Sequence, residues 1–523
     1  MPSLLSPANA FSAADDPWID VRAGHRYDTA GLRDLFLTAH TIDDLAIAYP
    51  PAASGLLRIA IAITARITGL DDPDLTAAQW TRLRREALAR GAFDPQTVHA
   101  YFDQHHFKVF HPTRPWLQDP ELPDQCTRTE GINRFTPGRP GGNNLAWFGA
   151  HHHELATPLP TAQALQYLLI HHFYGPPGMG TPRTTGAFTS RKLTSGPLRA
   201  TVSFHPLGRT LHETLLAGLP KFLGDEQLLA DTCPWEEGHT PNDPTAGLHP
   251  LTWPGRLLTG RSRHAVLLVP GNDQHTVTDA YVTWATQQPR LEATDPYLAY
   301  RTDPAKPVGQ RRSVRRANAD RAWWRELDTL LLAPDEHRAQ RRPEVFDTLN
   351  DLPPDVRSTL RVRIHGFDQD ASQVVDRQWY TALTPPLLAW TQEHDPERAQ
   401  RIADCCQAAE DIAIRLADVT DQAWADTTTP RNDNIKKKPG KPKPSRWADK
   451  AAALYWPLAE STFWQLLGAS TPATPAFARQ AVDALRKVTR TARARDQKAA
   501  RAVAAAVKEL RRQDRPPNKS SRR

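Results

Sequence analysis

The apolar positions of this chain follow one arrangement up to about residue 370 and another after it. In the first part, helix-like and strand-like stretches alternate. In "DLAIAYPPAASGLLRIAIAITARITGL" apolar residues cover most faces after Pro51, which predicts a buried helix. "DLTAAQWTRLRREALARGAF" carries a single apolar face and predicts an amphipathic helix closed by Gly91. "TAQALQYLLIHHFYG" predicts a helix ending at Gly175, "HAVLLVPG" a strand, and "DDPWIDVR" an extended opening segment. Between residues 100 and 160, "HPTRPWLQD" and "GGNNLAWFGAHHHELATPLP" are dense in Gly, Pro and aromatic residues, so loops with short elements are expected there.

Beyond residue 370 four segments read at helical period: "SQVVDRQWYTALTPPLLAW", "PERAQRIADCCQAAEDIAIRLADVTDQAWAD", "SRWADKAAALYWPLAESTFWQLLG" and "TPAFARQAVDALRKVTRTARARDQKAARAVAAAVKELRRQ". Their mostly short connections predict an antiparallel bundle. One connection differs: "TTTPRNDNIKKKPGKPKPSR" is cationic, proline-rich and almost free of apolar residues, so residues 427–446 are expected to be a disordered basic loop. The expected fold class is α+β. A large mixed α/β N-terminal domain spans residues 1–368, and a C-terminal antiparallel four-helix bundle with a basic tail spans 369–523. Trp447, Trp456 and Trp464 recur at helical spacing and are expected in the bundle core rather than on a base-stacking platform. The last helix, with Arg486, Lys487, Arg490, Arg493, Arg501 and Lys508 beside Ala and Val, suits packing on one side and phosphate on the other.

Composition narrows the class. The 523 residues are 40% hydrophobic and 24% charged, ordinary for a globular chain, while 47 prolines point to many loops and abrupt element ends. Cys126, Cys233 and the adjacent Cys405 and Cys406 form no CxxC pair, which fits a reducing compartment and argues against structural zinc. The start lacks a basic region followed by an apolar run, and the most apolar segment is interrupted by Arg58 and Arg66, so a soluble cytoplasmic protein with no membrane partner is expected. The net charge of +7 is concentrated: Ala484–Arg523 holds fourteen Lys/Arg against three Asp/Glu, leaving the remainder mildly acidic.

The candidate chemistry centres on "PPGMGTPRTTGAFTSRKLTSG", Pro176–Gly196. Its glycine spacing is that of a P-loop, but Thr181 and Pro182 stand where the lysine and its neighbour belong, and the prolines delete donors that a phosphate cradle needs. It reads instead as a surface loop whose glycines allow close approach to a nucleic acid, with Arg183, Arg191 and Lys192 on flanking phosphates. The histidines look metal-hungry at His151–Glu154, His171-His172 and His105-His106. Yet His153-Glu154 is followed by Thr157 and Pro158 where H-E-x-x-H needs its second ligand, and solvated or phosphate-facing histidines are expected. No nucleophile elbow and no supported catalytic cysteine are visible. The residues favour no enzyme, no cofactor and no metal. The rivals are a metal-dependent nuclease using His151–Glu154 and a general nucleic-acid-binding scaffold.

Taken in order, "DDPWIDVR", "LAIAYPPAASGLLRIAIAITARITGL", "HPTRPWLQD", "GGNNLAWFGAHH", the glycine segment, "HGFDQDASQ" and the helical C-terminus resemble the large-subunit (CasA) family of the type I-E CRISPR surveillance complex, Cascade. The resemblance covers nearly the whole chain and implies a non-catalytic subunit. Such a subunit recognises the protospacer-adjacent motif (PAM) in target duplex DNA, helps open it, and docks a helicase-nuclease. Its other implied partners are the guide CRISPR RNA and the remaining Cascade subunits. The family's glycine loop in the minor groove corresponds here to Gly178, Met179 and Gly180. The stretch preceding the guide-contacting loop corresponds to Asn144 and Phe148, with the loop itself beginning at Gly149, His151, His152 and His153. A strand-separating wedge corresponds to Gln369, Asp370, Ala371 and Ser372. Some relatives carry a minor-groove lysine that this chain lacks, since none occurs between Lys221 and Lys306; Arg290 is the nearest cation by position.

Overall fold

The computed structural model describes residues 10–512 except 141–150, 152–154, 222–230, 238–250, 288–293, 303–305, 307–311, 334–339, 370–375, 429–444 and 470. Two compact units divide the chain: Met1–Arg321 with Pro334–Ala389, and Ala322–Ala333 with Trp390–Arg523.

The first unit is mixed, with helices and several small antiparallel sheets. The helix Pro50–Thr68 runs through its core, and every residue from Pro51 to Ala65 is buried. Arg58 does not break the burial because it is neutralised where it lies: its guanidinium grips both oxygens of Asp295 at 2.7 and 3.1 Å and sits over the ring of Tyr297. A buried pair of this kind is tolerated only where the opposite charge is held in good geometry beside it. Arg66, near the helix end, fans out to Asp71, Asp231 and Glu236. No helix among the described residues is long and apolar enough to cross a membrane. The helix Ala77–Arg90 ends at the expected Gly91, in the left-handed region, and starts with a Thr76–Gln79 capping box. Thr161–Tyr174 is helical and His264–Pro270 is a strand, as their patterns predict.

The boundary falls later than residue 368, for a physical reason. The described part of "SQVVDRQWYTALTPPLLAW" forms no α-helix; Asp376–Leu383 is a strand, paired antiparallel with Arg361–Gln369, which pairs in turn with Val202–Leu207. Trp379 meets Phe367 and Tyr49 with ring centres 6.1 and 5.7 Å away, so the aromatic residues of "QWYTAL", with the β-branched Thr381, serve a sheet of the first unit. Pro334–Ala389 belongs to the same unit as that sheet.

The second unit is helical. Pro396–Thr428, Arg446–Leu467, Ala473–Val488 and Gln497–Leu510 are its long helices. The expected single last helix is broken twice, at Thr489 and at Asp496. The Asp496 carboxylate accepts from the Lys498 backbone N–H at 2.8 Å and starts a new helix as its N-cap. Ala499, Val503, Ala506 and Leu510 are buried, while Arg501 and Lys508 are not, so this helix has the two faces its sequence implies. The tryptophans depart from expectation. Tyr455 and Phe463 fill the core, whereas Trp456 and Trp464, each one position further round the helix, are only half-buried. Trp456 carries the Arg325 guanidinium 3.3 Å above its ring, and that guanidinium binds Glu410 bidentately at 2.7 and 2.9 Å. Most of the expected basic loop, residues 429–444, lies outside the described residues.

Candidate nucleic-acid interface

The glycine-rich stretch is a β-hairpin, not a loop. Gly178–Thr185 and Phe188–Leu193 pair antiparallel across a two-residue turn at Gly186-Ala187, with Gly186 at φ +57°. That conformation is what such a turn demands of its first residue. The threonines at 184, 185 and 189 favour strands, a signal masked in the sequence by the surrounding glycines and prolines. The register shifts between Met179 and Arg183, and Pro182, which has no N–H to donate, sits inside that irregularity.

One face of the hairpin is pinned to the strand Thr276–Trp284. Thr283 Oγ1 donates to the Thr181 carbonyl at 2.7 Å, Trp284 Nε1 donates to the Ser190 carbonyl at 2.8 Å, and the Phe188 ring meets Trp284 edge-on at 5.5 Å. Gly180 belongs to this inner face. A Cβ there would lie 2.9 Å from the Val282 carbonyl oxygen, so its missing side chain serves packing, and it is buried. The expected bare strip is thereby shortened to Gly178 and Met179. Gly178 is exposed at φ +150° with open space where a Cβ would point, and Met179 is 49% exposed.

Arg183 is a correction. It is fully buried and cannot reach a phosphate. Its Nε donates to Gln125 Oε1 at 2.7 Å, Nη1 to the Trp284 carbonyl at 3.0 Å, and Nη2 to Asp119 Oδ2 at 2.7 Å, with the guanidinium 5.3 Å from the Trp284 ring centre. The strand's alternation turns residue 183 inward, and the buried carboxylate makes the inward position habitable. Arg191 and Lys192 are exposed, without an ion-pair partner among the described residues, and Lys192 lies directly across the ladder from Met179.

The other expected residues scatter. Gln369 closes its strand at 7% exposure, with both amide atoms unpartnered among the described residues, so it faces inward rather than standing at an outward tip. Asp370, Ala371 and Ser372 lie outside the described residues, as do Arg290, Asn144, Phe148, Gly149, His152 and His153. His151 is exposed. His171 is buried and His172 half-buried, and both are bonded within the protein. His171 stacks on Phe135 and contacts that residue's carbonyl through Nε2 at 2.8 Å, while His172 bridges Ser262 Oγ and the Leu117 carbonyl. Burial pushes both imidazoles down to about 4. Among the described residues no three His, Cys, Asp or Glu side chains gather where they would hold a metal ion.

Sequence reasoning missed the residues that hold the hairpin. Asp119 closes the segment "HPTRPWLQD", and its partner lies 64 positions away; nothing in local spacing announces such a pairing. Glu130 and Arg134, at the hairpin's open end, are equally silent in the sequence.

The arrangement is a rigid, one-sided hairpin presenting backbone and cations, without a catalytic constellation among the described residues. The comparisons of sequence and fold place the chain in a class of CRISPR-associated proteins. Residues 13–514 match the family model of CRISPR-associated protein Cse1, and the chain is a member of that family. It is 26% identical over 408 residues to the CRISPR-associated protein CasA/Cse1 of Thermus thermophilus, covering 75% of each chain. A chain of a solved CRISPR RNA-guided surveillance complex superposes with a TM-score of 0.84 at 35% identity, covering 96% of this chain and 99% of that one. The crystal structure of Thermobifida fusca Cse1 superposes with a TM-score of 0.74 at 18% identity, over 96% and 98% of the two chains, and shares the fold.

Proposed function

We propose that this chain is the non-catalytic large subunit of a type I-E CRISPR RNA-guided surveillance complex acting in the cytoplasm in antiviral defence. It recognises the PAM in duplex DNA through the minor groove, promotes strand separation and R-loop formation, and helps recruit the helicase-nuclease. Its partners in this reading are the guide RNA, target double-stranded DNA, the other Cascade subunits and the helicase-nuclease. The observation that carries the reading is the exposed Gly178-Met179 backbone held at the open end of an anchored hairpin, with Lys192 across from it. A side-chain-poor segment suits a groove about 6 Å wide whose base-edge pattern is degenerate and therefore fits a short, permissive motif. Guide pairing supplies the remaining sequence specificity.

Within this reading Asn144, Phe148, Gly149 and His151–His153 meet the guide RNA and neighbouring subunits, Gln369–Ser372 form the wedge, and Arg290 is a candidate groove cation. The wedge role requires Gln369 to leave its buried position when DNA binds. The test is a duplex-binding assay on the guide-assembled complex carrying Gly178→Leu. Affinity for PAM duplex should fall by roughly 1–3 kcal/mol while assembly on the guide is retained. Equal binding of PAM and non-PAM duplexes by the unmutated complex would refute the reading, as would magnesium- or manganese-dependent cleavage by the chain alone.

A further inference from the structure

Arg134 stands beside the exposed end of the hairpin, in the short helical turn Ile132–Phe135. Its Nη2 donates to the carbonyl oxygen of Met179, the exposed residue of the strip itself. Its Nη1 lies 2.6 Å from Glu130 Oε2. The Glu130 side chain is buried, only 4% exposed. Its other oxygen accepts from Thr181 Oγ1 at 2.6 Å, and its backbone N–H donates to the Ala280 carbonyl at 2.8 Å. One fixed carboxylate therefore holds both the strand just past Met179 and the guanidinium next to it. The Arg134 side chain is nevertheless 45% exposed.

An exposed ion pair by itself contributes little to stability. This one differs in that its acid is buried and its arginine is also tied to the backbone of the strip. Of five guanidinium N–H donors, these two contacts use one on each terminal nitrogen, so the group retains donors for a ligand. Whatever approaches Gly178 and Met179 closely meets this guanidinium at the same time.

We propose that Arg134 is a DNA-reading cation of this chain, entering the minor groove together with Gly178-Met179 and responding to groove width and base-edge acceptors. The proposal rests on the reading of the hairpin as the duplex-sensing element. Arginine suits the task because its guanidinium sheds water more readily than an ammonium, and narrow minor grooves concentrate negative potential. The Glu130 carboxylate fixes where the cation sits rather than cancelling it, since the exposed part of the pair lies on the arginine.

The experiment compares Arg134→Ala, Arg134→Lys and Gly178→Leu in guide-assembled complexes, titrated with PAM duplex and with a duplex of scrambled PAM across a series of salt concentrations. Arg134→Ala should lose about tenfold or more of PAM-duplex affinity and little of the scrambled-duplex affinity, so that discrimination shrinks. Arg134→Lys should recover only part of it. Unchanged discrimination in Arg134→Ala overturns the proposal. Equal loss on both duplexes, with a salt slope lower by about one, also overturns it by marking a simple phosphate contact. Failure of Arg134→Ala to assemble on the guide, with the isolated chain unfolding at the parent temperature, overturns it in favour of an RNA or subunit contact. If Gly178→Leu also binds like the parent, the hairpin reading itself falls, which separates the two failures.

Discussion

The Asp119 carboxylate and the Arg183 guanidinium meet at 2.7 Å with the arginine wholly buried, tying a proline-flanked turn to the middle of a hairpin strand. Removing one partner strands the other charge in the interior. Asp119→Ala should therefore cost about 3–5 kcal/mol of unfolding free energy, measured by denaturant titration of the isolated chain. A loss under about 1 kcal/mol would show that the pair holds nothing in place.

The two glycines of the strip should fail differently. Gly180→Val forces a side chain against the Val282 carbonyl and should lower the melting temperature as well as duplex affinity. Gly178→Ala meets open space but an unfavourable φ of +150°, costing about 1–2 kcal/mol locally. Thermal unfolding of both variants in parallel checks the contrast; equal destabilisation would mean that Gly180 is not packed as described.

Acid should weaken the first unit at mild pH. Burial holds His171 and His172 down at about 4 and His264 at about 3, against an unfolded value of about 6.5. Above pH 6.5 neither state takes up these protons. Below it the unfolded chain does so first, so stability present at neutral pH is lost progressively as pH falls from about 6.5 towards 4. His172 alone contributes on the order of 3 kcal/mol across that window. His172→Gln should flatten the dependence of the unfolding midpoint on pH between 7 and 4.5, and an unaltered slope would contradict this.

In the helical unit, Arg325 combines a bidentate carboxylate with a tryptophan face, and lysine cannot reproduce the fork and the stacked plane together. Arg325→Lys should cost about 1–2 kcal/mol, read by denaturant unfolding of the full chain, in contrast to near-neutral lysine exchanges at exposed arginines such as Arg501.

Arg191 and Lys192 should act through long-range charge. Changing both to Gln should lower the slope of log affinity against log salt by roughly two while leaving the ratio of PAM to non-PAM affinity intact. A selective loss on PAM duplex would make them readers rather than clamps.

The long periodic segments are legible because one dominant force shapes them: the apolar faces of Pro50–Thr68 and Thr161–Tyr174 define their helices with little help from distant partners. The failures share a cause in non-local pairing. "DRQWYTAL" can satisfy a helical period, but its strand is decided by the neighbouring strand Arg361–Gln369 and by Tyr49, more than three hundred residues earlier. Arg183 has the composition of a surface clamp, and only the distant Asp119 and Gln125 make it an interior anchor. At the candidate site the exposure of Arg191 and Lys192 is legible from residue type, whereas that of Met179 runs against its type. Gly180 is not legible, because a glycine's need for space does not reveal which side the crowding comes from.

The anchoring of Arg183 also makes the hairpin non-portable. Residues 178–193 transplanted into a scaffold without an acid in the place of Asp119 would arrive with a buried charge and nothing to receive it. An exchange of sensing elements with such a scaffold must carry Asp119 and Gln125 along with the hairpin, whereas retuning in place is confined to the few side chains that the anchor leaves facing outward.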